Sequence, residues 1–191
     1  MASHRSDLAS GLAILATLGV APAQIVIAAD YLSVEGAQKG LFPQADGFSE
    51  LALNLNATQR AQIASLAGAQ PAHRSLRVFR AVRSGELVGY ALVDEVIGRE
   101  AFITYAVGID AAGRLGALEV LTYRESHGGE IRNEVWRRQF AGRQSLAQLR
   151  VRTDIQNIAG ATLSCEHVTE GVRWLMALWQ VALKPATPAA G

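Results

Sequence analysis

Between residues 76 and 123 the chain runs through four stretches rich in β-branched and aromatic residues, separated by short turn sequences. Residues 76–82 and 87–96 flank Ser84-Gly85, and residues 102–109 and 115–123 flank Asp110-Ala111-Ala112-Gly113. Each pair reads as a hairpin. Neighbouring strands joined by turns this short run antiparallel, because a parallel pair needs a crossover of about a dozen residues or more. The runs at 87–93 and 102–107 are almost wholly apolar, so both faces of the sheet are expected to be covered, one by helices and one by another packed element. In the last run Leu118 and Val120 share one face, and Glu119 and Leu121 the other.

Helical signals surround this block. Ser33 can cap a short helix over residues 34–41 that ends before Pro43, since the residue preceding a proline is pushed out of helical geometry. Residues 50–55 alternate like a strand, and Asn56 or Thr58 can cap a helix holding Ile63 and Leu66. Residues 131–140 read as a helix with Val135, Trp136 and Phe140 on one face, ended at Gly142, and Val168, Val172, Leu175 and Trp179 recur at helical spacing. The class expected is α+β, a mainly antiparallel sheet flanked by helices with a small N-terminal helical region.

The 191 residues, 50% hydrophobic, suffice for one compact domain with small additions. A net charge of +1, from 18 basic and 17 acidic residues, gives no reason to expect a nucleic-acid partner. The single cysteine, Cys165, rules out an intrachain disulfide, and His4, His73, His127 and His167 lack metal-ligand spacing, so no metal site is expected. Residues 8–29 carry no charged side chain and follow Arg5, the pattern of an export signal or membrane anchor. The expected organisation is a signal or anchor at 1–29, a small packed region at 30–74, a main domain at 75–183 and a disordered tail at 184–191.

Two segments carry chemistry. In the first, Tyr123-Arg124-Glu125-Ser126-His127-Gly128-Gly129-Glu130, a polar glycine loop follows a strand. Glu125 and His127 can form an acid–base pair, but no nucleophile or third group stands at a suggestive spacing, and no catalytic residue is assigned. In the second, Ala159-Gly160-Ala161-Thr162-Leu163-Ser164, small residues lead into a hydroxyl at a helix start. A helix N-terminus has unpaired N–H groups and partial positive charge, which suit a phosphate. Spacing alone favours an ordinary helix start, with Thr162 or Ser164 as N-cap and Gly160 as a turn. Cys165 beside this helix start is either a thiol of lowered pKa with a redox role or an inert buried one, and Glu166 and His167 read as solvated first-turn residues.

The succession Glu125-Ser126-His127-Gly128-Gly129-Glu130-Ile131, Trp136-Arg137-Arg138-Gln139-Phe140-Ala141-Gly142-Arg143, Asp154-Ile155, Ile158-Ala159-Gly160-Ala161-Thr162-Leu163-Ser164 and Val168-Thr169-Glu170-Gly171-Val172 resembles the FMN-binding domain family. That family includes the flavinylated periplasmic subunits of Rnf-type complexes and of the sodium-pumping quinone reductase. The resemblance covers roughly residues 87–178. It implies FMN joined through its phosphate to the Thr162 hydroxyl by a separate flavin transferase using FAD, with Gly160, Ala161, Leu163 and Ser164 around the attachment. It also implies that Glu125, Ser126, His127 and Gly128 cover the ring. Trp136 and Phe140 are either further ring contacts or ordinary core aromatics. The function implied is exported electron transfer at the periplasmic, outer face of the inner membrane, with a membrane or periplasmic redox partner. Two positions depart from the family pattern: Gln156 stands where an acidic residue is common, and Ala159 where Ser or Thr is. They leave room for a flavin-free binding or assembly module. A flavin-dependent reductase is a further alternative, although the chain has no Gly-x-Gly-x-x-Gly nicotinamide fingerprint.

Overall fold

The computed structural model describes residues 29–68, 75–125 and 129–185. Residues 1–28 of the expected leader, the loop residues Ser126, His127 and Gly128, and the tail beyond residue 185 lie outside the described residues. Four long strands, β3 (Leu76–Arg83), β4 (Glu86–Ile97), β5 (Phe102–Asp110) and β6 (Leu115–Tyr123), pair antiparallel with their chain neighbours. Ser84 and Gly85 both take positive φ, 50° and 83°, the backbone that a two-residue hairpin between right-twisted strands requires. At the β5–β6 turn Asp110 Oδ1 accepts from the backbone N–H of Ala112 and of Arg114.

Two further strands complete the sheet. A two-residue β1 (Ala29–Asp30) pairs with β6, and β2 (Gly47–Leu51) pairs with β3, giving the order β1-β6-β5-β4-β3-β2. β2 lies earlier than the strand expected at 50–55. Asp46 explains the shift: its N–H donates to Val82 O and its Oδ2 accepts from Ser84 N, which sets the register at the β3–β4 turn. Leu53 and Leu55 leave the sheet and pack half-buried against the core.

Helices cover both faces. α1 (Val34–Leu41) is capped by Ser33, whose Oγ accepts from Gly36 N. It places Ala37, Leu41 and the following Phe42 over Phe79, Ala81, Ala91, Val93, Ala106 and Leu121. The opposite face meets α4 (Thr162–Leu178), where Val168, Val172, Leu175 and Met176 join Leu92, Ile103, Tyr105, Val107, Leu118 and Val120 in the larger core. Leu118 and Leu121 thus enter opposite clusters, as their alternation in β6 predicts. α2 (Ala57–Ala67), started by an Asn56–Gln59 capping box, packs beside α4. Among the described residues no helix is long and apolar enough to cross a membrane.

The helix expected over residues 131–140 is broken into a 3-10 turn at Gly129–Arg132, a short α3 (Glu134–Arg137) and a 3-10 turn at Arg138–Phe140. Asn133 causes the break by accepting Val135 N on its side chain, which restarts the helix. Trp136 and Phe140 remain buried with ring centroids 5.2 Å apart, while Val135 turns outward and is 75% exposed.

Candidate functional site

α4 begins at Thr162, and the residue before it, Ala161, is the N-cap, with no side chain accepting from the first turn. Neither Thr162 nor Ser164 takes the capping position expected of it. Gly160, at φ +86°, turns the chain, and Ala161 N donates to Ile158 O at 3.0 Å, so the helix starts one residue before the first hydroxyl could act as its cap. The Ser164 hydroxyl is engaged elsewhere: it sits 3.2 Å from Tyr123 Oη in a buried pair linking α4 to the end of β6. The N–H groups of Thr162, Leu163 and Ser164 belong to the turn that helix geometry leaves without internal partners.

This helix start borders a cleft of about 240 Å³ lined by Gly160, Ala161, Thr162, Leu163, Ser164, Glu125, Arg99 and Glu100. The opposite wall is the β4–β5 turn. Glu125 Oε1 accepts from the N–H of Glu100 at 2.8 Å and of Ala101 at 2.9 Å, and Gly98 N closes the turn on Ala101 O at 2.7 Å. The structure thus gathers Glu125 and the five residues 160–164 around one cleft. It gives the Glu125 carboxylate backbone donors of the turn as partners. Arg99 and Glu100 escaped the sequence reading, and the available signal was slight: two charges in a turn between apolar strands.

Around the cleft, side chains tie the loop down. Trp136 Nε1 donates to Gln156 O at 2.8 Å, and Gln156 N donates to Gln139 Oε1. Trp136 is therefore a buried anchor for the segment leading to Gly160, and with Phe140 it belongs to the core. Glu166 pairs with Arg152 at 2.8 Å, and His167 Nδ1 lies 2.7 Å from Ile97 O, which gives both first-turn residues structural partners in place of the solvated state expected. Cys165 is fully buried, and burial pushes its thiol pKa up, opposite to the lowering a reactive thiol at a helix start would show. Gln156 and Ala159 are not buried. Among the described residues no group of His, Cys, Asp or Glu is arranged to hold a metal ion.

An α+β domain thus carries a cleft with a small-residue approach, an uncapped helix end, one cationic side chain and two carboxylates in its lining. The donor set and the lack of bulk at Gly160 and Ala161 fit the phosphate of a nucleotide-type cofactor. The sequence model of the FMN-binding domain matches residues 98–176, from the β4–β5 turn into α4. The chain is also 28% identical over 129 residues to a component of the Na(+)-translocating ferredoxin:NAD(+) oxidoreductase complex of Acetobacterium woodii. The match covers 62% of this chain and 62% of that relative, less than two thirds of the relative's length.

Proposed function

We propose that this chain is an exported electron-transfer flavoprotein carrying FMN through a phosphoester on Thr162. The observation that carries the reading is the contrast between two hydroxyls at one helix start. Thr162 lines the cleft at the first position of an uncapped helix, and no hydrogen bond to its side chain is seen among the described residues, whereas Ser164 is held by Tyr123. A threonine hydroxyl without an adjacent base is a weak nucleophile, which supports attachment by a separate flavin transferase. In that transfer the Oγ1–phosphorus bond replaces the pyrophosphate bond of FAD, AMP leaves, and the hydroxyl proton passes to the transferase.

The first-turn N–H groups of α4 would hold the phosphate, and Gly160 and Ala161 leave room for the linkage. FMN, when bound, supplies one- and two-electron redox chemistry. The cleft is smaller than the roughly 300–1,000 Å³ usual for sites that enclose a whole ligand. That size favours a cleft that grips the phosphate end and leaves the ring outside it, where a partner can reach it. The relative's place in a Na(+)-translocating ferredoxin:NAD(+) oxidoreductase complex supports a membrane redox complex as partner, and the export-signal pattern of residues 8–29 supports the outer face of the inner membrane as location.

Coexpression with a flavin transferase tests the proposal. Wild-type protein is expected to gain the mass of one FMN less water and to stay yellow after denaturation. Thr162→Ala is expected to lose both. Colourless, unmodified wild type would overturn the reading and favour a flavin-free module, for which Gln156 and Ala159 are the supporting positions.

A further inference from the structure

Glu125 and the turn it holds are built more tightly than a loop contact requires. One carboxylate oxygen receives two successive backbone N–H groups, from Glu100 and Ala101, across 25 and 24 residues of sequence. The fit depends on glycine at the turn's first residue, since a Cβ on Gly98 would lie 2.3 Å from Glu125 Oε1. This arrangement fixes the end of β6 to the β4–β5 turn, which lines one cleft with the start of α4.

The turn carries Arg99, the one cationic side chain among the described residues lining the cleft. Its ion-pair contact is to Glu100 at 3.6 Å, with both side chains at least 70% exposed, and solvent screens such a pair heavily. Arg99 is thus a fork of donors kept at the cleft with no strong structural partner among the described residues. Glu100 and the Glu125 carboxylate, both in the lining, repel an anion, so attraction falls to Arg99 and the α4 terminus.

We propose that Arg99 is the side chain that reads the cofactor's phosphate, and that Glu125 is a positioning residue that holds Arg99 at the cleft by fixing the β4–β5 turn. The proposal rests on the FMN reading above and departs from the expectation that Glu125 itself covers the cofactor.

The test is phosphorus NMR of the flavin-loaded protein, whose resonance position does not depend on how fully each variant is loaded. In wild type the phosphoester resonance is expected to be displaced from its position in the denatured protein, and the displacement to shrink with added salt. Arg99→Gln is expected to lose at least half of that displacement, and Arg99→Lys to keep most of it. Glu125→Ala should resemble Arg99→Gln, while Glu125→Gln, which keeps an oxygen for the two amides, should resemble wild type. An Arg99→Gln chain that takes up no flavin while Arg99→Lys loads normally also supports the assignment. An Arg99→Gln resonance coincident with wild type overturns the role of Arg99, and a wild-type resonance in folded Glu125→Ala overturns the role of Glu125. Wild-type protein that takes up no flavin overturns the reading beneath as well, so the two failures are distinct.

Discussion

At Gly171, α4 crosses the sheet with no space for a side chain: a Cβ would lie 2.2 Å from Tyr105 Oη and 2.9 Å from Val96 Cγ1. Gly171→Ala is therefore expected to destabilise the protein by about 1–3 kcal/mol despite alanine's better helix propensity, as measured by urea unfolding. The phenol below is itself committed, because Tyr105 Oη donates to the buried Asp94 carboxylate at 2.7 Å. Tyr105→Phe removes that donor while Asp94 stays buried, and a loss of about 1–3 kcal/mol is expected in the same measurement. Cys165 gives a prediction about reactivity. Buried and with its pKa raised, it is expected to resist alkylation in the native protein at neutral pH and to react at once in denaturant, read by intact mass. Rapid labelling of folded protein would contradict the buried position.

Among the elements, α4 holds the cleft, and Arg173 ties it to its neighbours. The Arg173 guanidinium donates to Ala67 O at the end of α2 and to Leu146 O in the 3-10 turn at Leu146–Gln148. Arg173→Ala strands those carbonyls in a half-buried setting, with an expected cost of about 2–3 kcal/mol. Hydrogen exchange is the better readout, since the loss of protection should appear first in α2. The elements themselves were largely legible beforehand. β3 to β6 and α1 match the predicted spans closely, because alternation, tight turns and a serine cap are local signals read by local chemistry. Where prediction failed, a competing polar contact won. Asn133 restarted the helix expected at 131–140, and Asp46 pulled β2 forward to residues 47–51.

For the molecule as a whole, burial of acidic groups shapes the response to pH. Desolvation raises the phenols of Tyr90, Tyr105 and Tyr123 above their ordinary value of 10.0, Tyr105 furthest, and raises the Cys165 thiol above 9.0. A group held neutral in the fold binds its proton more tightly there than in the unfolded chain. Its contribution is thus complete below the unfolded pKa and is lost as pH rises through the interval above it. Stability is expected to fall from about pH 9–10 upward, with a shallower decline in Tyr105→Phe when unfolding is followed across that range. The sequence by itself determined the neighbour pairing of β3 to β6, the two-faced burial of the sheet and the placing of Thr162 at the start of a helix, since each follows from periodicity and turn chemistry within a few residues. Tertiary structure alone decided how that helix start is furnished. Sheet register carried Tyr123 to Ser164 across 41 residues and Glu125 to the β4–β5 turn across 24 and 25 residues, leaving Thr162 open and Arg99 opposite it. Such pairings depend on which strand ends meet in space, and no local spacing in the chain encodes that distance.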